Sequence, residues 1–185
     1  MSRSRTASPS AVQGTIIFTD LAGFTEFTDE RGDEAALRLL ALKDKLVMET
    51  MGDRGRIVKN LGDGLMIWFD NPCDAVDFAL RLQELFEDES SVEDDLPLWV
   101  RMGAHYGQPT PRDGDFFGHD VNVAHRIVEL AAPGEVLVSG ALAQEVGDSL
   151  PEVMFDEVGP TLMKGIREPV PLYRAFRADT ADSLV

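Results

Sequence analysis

The stretch "GRIVKNLGDGLMIWFD", Gly55 to Asp70, holds two apolar runs around Gly62-Asp63-Gly64. A D-G pair between β-rich runs is a strong short-range hairpin signal, so a second strand, a tight turn and a third strand are predicted here. Upstream, Asp33 to Met51 contains no Gly or Pro, and Ala36, Leu39, Leu40, Leu46, Val47 and Met51 recur at helical spacing. That is an amphipathic helix laid against a sheet. Before it, "GTIIFT" from Gly14 reads as the first strand. After the hairpin, a helix is expected from Pro72 through about Phe86, then a solvated acidic loop over Glu87 to Asp95, then a strand in "LWVRMGAHYG". The order β-α-β-β-α-β around a central hairpin is that of a ferredoxin-like palm, an α+β fold, and not a doubly wound sheet. Downstream, "DFFGHDVNVAHRIVELAAPG" reads as a loop and a helix stopped by Pro133-Gly134. "EVLVS" reads as a strand. A short helix near Ala141 to Val146 and strands near Val153 to Val158 and Leu172 to Phe176 extend the βαββαβ core.

Of 185 residues, 44% are hydrophobic and 27% charged, enough for the full core of one domain. Residues 1–12 are expected to be a mobile tail, 13–178 the domain and 179–185 a C-terminal tail. Acids outnumber bases 33 to 17, a net charge of -16, which argues against nucleic acid or an anionic membrane as a partner. The single cysteine, Cys73, excludes an intramolecular disulfide and fits a reducing compartment, so a cytoplasmic location is expected. No stretch reaches the roughly 20 apolar residues of a membrane span.

Asp20 ends the first strand and Asp63 sits in the hairpin turn. In a palm the first strand lies beside the hairpin, which brings the two carboxylates to one edge. They repel unless a cation intervenes, and a few hard oxygen ligands suit magnesium bound jointly with substrate phosphates. The turn "LAGFT" after Asp20 could then cradle phosphate through backbone N–H groups. The plainer alternative has Asp20 capping the next helix and Asp63 filling a D-G turn. In "RIVKNL" strict alternation puts Ile57, Lys59 and Leu61 on one strand face. Lys59 either snorkels to the sheet edge or donates to the ring of a bound base. On "DVNVAHRIVELA", Ala124, Ile127, Val128 and Ala131 face the core, while Asn122 and Arg126 stand one turn apart on the other side. They form either an ordinary polar face or a surface that completes a partner's site in a dimer.

"FTDLAGFT", "VKNLGDGLMIWF", "DFFGHDVNVAHR" and "LMKGIREPVPLYR" stand in the order and spacing of one family. From about Gly14 to Phe176 the chain resembles the catalytic domain of class III adenylate and guanylate cyclases. The resemblance implies the class III nucleotidyl cyclase fold, two divalent ions, magnesium or manganese, and a homodimer with shared active sites. It makes Asp20 and Asp63 the metal-binding aspartates, with the Leu21 carbonyl completing one ion's shell. Gly23, Phe24 and Thr25 become the phosphate turn. By the same resemblance Lys59 and Asp115 read the base, Asn122 orients the ribose, Arg126 steadies the α-phosphate and Lys164 reaches the terminal phosphates. Asp20 and Asp63 would come from one subunit; Asn122, Arg126, Lys59 and Asp115 would come from the other.

Lysine only donates and an ionised aspartate only accepts. Lys59 to N1 and Asp115 to N6 therefore match adenine, and ATP is the expected substrate, with cyclic AMP and pyrophosphate as products. The other readings are a guanylate cyclase, a non-catalytic nucleotide sensor on the same fold, and a polymerase-like palm enzyme; the last lacks a basic track. No nucleophilic residue is needed, so His105, His119 and His125 do not have to act as bases, and His125 is expected at a surface or an interface. "DGDFFGHD" lacks the ligands of an EF-hand.

Overall fold

The computed structural model describes residues 12–92 and 99–178. The tails expected at 1–12 and 179–185 lie outside these residues, except Val12. Its elements are β1 (Gly14–Leu21), α1 (Phe24–Arg31), α2 (Asp33–Met51), β2 (Gly55–Asn60), β3 (Leu65–Phe69), α3 (Pro72–Val92), β4 (Val100–Gly107), β5 (Thr110–Arg112), β6 (Asp115–Phe117), α4 (His119–Leu130), β7 (Val136–Ser139), α5 (Gly140–Val146), β8 (Val153–Thr161) and β9 (Val170–Arg177). The main sheet runs β2-β3-β1-β4-β7-β9-β8, with β5 and β6 as a separate hairpin. Its first four strands are the antiparallel palm, and β7, β9 and β8 extend it.

Helices cover one sheet face, and α4 with the β5–β6 hairpin covers the other. Alternate residues of β1 therefore enter different cores. Ile17 and Leu21 pack with Leu39 and Val47 of α2 and Phe78 and Leu82 of α3. Ile16 and Phe18 pack with Met66, Trp68, Phe116, Ala124 and Val128. Burial on both faces explains why β1 and β3 read as continuous apolar runs. Helix α4 presses backbone to backbone on β4: a Cβ at Gly103 would lie 2.2 Å from Val128 N.

Three readings need correction. Helix α3 continues to Val92, through much of the acidic stretch read as a loop. No Gly or Pro interrupts residues 73–96, and charge alone does not end a helix. The loop expected before α4 contains the β5–β6 hairpin, turned by Asp113 (φ 52°) and Gly114 (φ 81°). Asp113-Gly114 is the same D-G signal that located the first hairpin. Finally, strand β2 does not alternate strictly. Ile57 pairs with Ile67 but Lys59 pairs with Met66, so Val58 is an extra residue in a bulge. Lys59 therefore lies on the face of Met66 and Trp68, opposite Ile57.

Candidate active site

Asp20 is the seventh residue of β1 and stands opposite Arg101 of β4. The guanidinium donates to Asp20 Oδ2 from Nε at 2.6 Å and approaches the same oxygen through a terminal nitrogen at 2.5 Å. The capping alternative for Asp20 fails, because the N-cap of α1 is Gly23 and no side chain caps the helix. On its β4 side, then, Asp20 already has a cationic partner in Arg101. Sequence reading missed it because its cross-strand partner becomes visible only once the β1–β4 register is known.

The hairpin turn, residues 61–64, is brought to Asp20 by a close approach. A Cβ at Gly64 would lie 2.4 Å from the Thr19 carbonyl oxygen, so only glycine lets the turn seat there. Leu65 N–H donates to Thr19 Oγ1 at 3.1 Å, and Leu61 N–H donates to the Gly64 carbonyl at 2.9 Å. Gly62, at φ 95°, donates to Asn60 Oδ1. Asp20 and Asp63 consequently line one cavity of about 290 Å³, together with Phe18, Arg101, His125 and Glu129.

No group of three or more His, Cys, Asp or Glu side chains able to hold a metal occurs among the described residues. Two carboxylates beside the end of β1 are too few to enclose an ion alone. They fit a hard divalent cation that arrives with phosphate oxygens as its remaining ligands. Asp20 and Asp63 thus fit the implied metal, and the Leu21 side chain, which follows Asp20 in β1, packs away from the cavity in the helix-side core.

Lys59 and Asp115 meet as an ion pair across β2 and β6. The bulge at Val58 makes this possible by turning Lys59 to the β6 side. Asp115 is held below the ordinary carboxylate range by the Lys59 hydrogen bond first, against the opposing effect of burial, and by the N–H of Phe116 at 2.7 Å. Lys59 Nζ also stands 5.8 Å from the centre of the Phe117 ring, which is itself exposed.

On α4, Val123, Ala124, Ile127 and Val128 are buried, Asn122 is exposed and Arg126 is half-buried. Arg126 reaches both carboxylate oxygens of Glu129 at 2.7 Å. His125 turns toward β1, edge-on to Phe18 with ring centres 5.1 Å apart, and lines the aspartate cavity. It is an exposed residue, as expected, but one with a place at the cavity wall. Lys164 is exposed in the turn between β8 and β9, the strands farthest from the hairpin. Of the expected site residues, the cavity holds Asp20 and Asp63; Lys59, Asp115, Asn122, Arg126 and Lys164 do not line it. Gly23 adopts φ 72° at the start of α1, and Phe24 and Thr25 open that helix.

A polar knot built on the buried His105 and Ser139 ties the start of α4 to β4 and β7. Asp120 Oδ2 accepts the Gln108 N–H at 2.6 Å, and its Oδ1 lies 3.4 Å from His105 Nε2. His105 Nδ1 is 2.8 Å from Ser139 Oγ, which also accepts the Leu142 N–H at the cap of α5. All of these groups are satisfied when the serine hydroxyl donates to Nδ1 and Nε2–H faces Asp120. The Asp120 carboxyl is held below its ordinary value of 3.8, chiefly by His105, against burial and with help from Gln108. Its stabilising contribution is therefore complete above that ordinary value and is lost as pH falls through the lower folded value. We expect Asp120→Asn to cost about 1–2 kcal/mol at neutral pH, and the gap to wild type to close as pH drops below about 4. Urea unfolding at stepped pH checks this.

The palm sheet thus brings two acids and a guanidinium to one cavity at the end of β1. The comparisons give the family. The profile described as "Adenylate and Guanylate cyclase catalytic domain" matches residues 7–174, and the chain belongs to that family. It is 32% identical over 175 residues to "pH-sensitive adenylate cyclase MT1302" of Mycobacterium tuberculosis, covering 93% of this chain and 43% of that protein. It is 33% identical over 130 residues to "Adenylate cyclase" of Streptomyces coelicolor, covering 70% and 33%. The chain thus spans less than half the length of these curated relatives. Among solved structures, the adenylyl cyclase CyaB from P. aeruginosa matches with a TM-score of 0.76 at 26% identity, covering 92% of this chain and 97% of that one. A Trypanosoma brucei adenylate cyclase in its monomeric state matches with a TM-score of 0.80 at 22% identity, covering 95% and 92%. The fold is that of class III cyclase catalytic domains. Among the described residues no helix is long and apolar enough to cross a membrane.

Proposed function

We propose that this domain converts ATP into 3′,5′-cyclic AMP and pyrophosphate, at sites shared by two copies of the chain. The observation that carries the reading is the meeting of Asp20 and Asp63 in one cavity beside Arg101, while the Lys59–Asp115 pair stands outside that cavity. A second copy would bring its Lys59, Asp115, Asn122 and Arg126 to the cavity of the first. Asp20 and Asp63 would hold the divalent ions. Magnesium or manganese held there would lower the pKa of the attacking 3′-hydroxyl and neutralise charge on the leaving pyrophosphate.

The chain's own residues do the remaining work by position and charge. Arg101, the guanidinium at the cavity, faces the terminal phosphates once Asp20 has a second cationic partner. Lys59 and Asp115 present a donor beside an acceptor, the complement of adenine N1 and N6. Asn122 offers an amide to the ribose, and Arg126 exchanges Glu129 for the oxygens of the α-phosphate as charge builds there. Lys164 stands in reserve for the terminal phosphates.

The test is a product assay on purified protein with ATP or GTP and with magnesium or manganese. Cyclic AMP from ATP is the expected product. Cyclic GMP alone would overturn the adenine reading. Nucleotide binding without any cyclic product would make the domain a sensor.

A further inference from the structure

Lys43 has a side chain only 1% exposed and is the one lysine or arginine in the buried set among the described residues. On α2 it occupies a slot of the apolar stripe, between Leu39 and Leu46–Val47, where the pattern calls for a leucine or methionine. An apolar residue of that size would serve packing at least as well, because a buried ammonium must repay its lost hydration. Its contacts show what the charge is for. Nζ donates to the backbone carbonyl of Asp63 at 3.2 Å, and Asp44 Oδ1 stands 3.2 Å away as its charge partner. The turn is fixed on its strand side by Thr19, through Leu65 N–H and the close seat of Gly64. Lys43 grips it from the helix side, at the residue that carries the carboxylate.

We propose that Lys43 is a positioning residue for the metal-binding turn: its buried ammonium fixes the Asp63–Gly64 peptide and so keeps the Asp63 carboxylate aimed into the cavity it shares with Asp20. The inference rests on the reading of Asp20 and Asp63 as metal ligands. Groups that orient a metal ligand without touching the ion are worth about 10- to 100-fold in affinity.

The test uses the full chain and three variants: Lys43→Met, which keeps the volume and removes the donors; Lys43→Gln, which keeps a donor on a shorter arm; and Asp63→Asn as the reference. Manganese affinity is read by electron paramagnetic resonance in the presence of 3′-deoxy-ATP, which has no attacking hydroxyl. Amide exchange at residues 62–65 is read in metal-free protein, and thermal unfolding is read for each. Lys43→Met is expected to keep or raise the unfolding midpoint, to speed exchange in the turn and to weaken manganese binding about 10-fold. Lys43→Gln should fall between Lys43→Met and wild type. Wild-type manganese affinity in Lys43→Met or Lys43→Gln, with binding lost in Asp63→Asn, overturns the proposal. So does a Lys43→Met chain that unfolds while Lys43→Gln binds manganese normally, since the lysine then serves packing. Wild-type affinity in Asp63→Asn instead removes the metal-site reading itself, and the role of Lys43 with it.

Discussion

Asp20→Ala chains are expected to form cyclic nucleotide at a rate lower by about 10³, and to regain activity when mixed with Asn122→Ala chains. The first expectation follows from what the carboxylate does at the cavity. Without it, Asp63 is the sole remaining acid among the residues expected to hold the ions, in a cavity that Arg101 also lines. Charge stabilisation of several kcal/mol is forfeited, and each 1.36 kcal/mol is about a decade in rate. The fold should survive, because Asp20 is partly exposed and its loss frees an arginine that can reach water. Circular dichroism and the unfolding midpoint separate the two effects.

The second expectation follows from geometry. Asn122 lies exposed on α4 and does not line the aspartate cavity of its own chain. If the site forms between copies, an Asp20→Ala chain still supplies a good Asn122, and an Asn122→Ala chain still supplies a good Asp20. Random pairing makes about half the dimers mixed, each with one intact site of two, so about a quarter of wild-type activity should return. Lys59→Ala should rescue Asp20→Ala in the same way but fail to rescue Asn122→Ala, since Lys59 and Asn122 would come from the same chain. Mixed dimers without recovery would place the whole site in one subunit.

The meeting of Asp20 and Asp63 was legible in the sequence for a topological reason. A central hairpin between two helices forces β3 against β1, and the acids lie at the adjoining ends. The face of Lys59 was not legible, because a bulge is set by cross-strand register and Val58 has no residue signature that marks it. Alternation placed Lys59 with Ile57, whereas the pairing with Asp115 requires the opposite face. Arg101 was hidden for a related reason: one arginine in an apolar strand looks incidental until its antiparallel neighbour is known to be Asp20. Lys43 was hidden by its own helix, where the lysine that opens the "KDK" run looks like part of a solvated face. Its burial depends on where the hairpin turn sits, and the spacing of α2 alone does not encode that.

Lys59→Glu combined with Asp115→Asn is expected to reverse the choice of base, lowering the ATP-to-GTP ratio of kcat/KM by at least about 100-fold. In the wild type the two side chains touch, so a donor and an acceptor stand side by side. Adenine offers an acceptor at N1 next to a donor at N6, and each side chain would exchange its partner for one atom of that edge without leaving a group unpaired. Guanine presents N1–H to the Lys59 ammonium and O6 to the Asp115 carboxylate, donor against donor and acceptor against acceptor. A site built to hydrogen-bond one edge rejects the wrong one by about 10⁴–10⁵, because its own polar groups are left unmet. Glutamate at 59 would accept from N1–H and N2–H, and the asparagine amide at 115 would donate to O6. The single Lys59→Glu change is the informative control, since it sets two carboxylates together and should depress both activities. Cyclic AMP and cyclic GMP measured from one preparation over a range of each nucleotide decide the matter. An unchanged preference for ATP in the double variant would mean that the base is read elsewhere, and that the Lys59–Asp115 pair serves only to fasten the β5–β6 hairpin to β2.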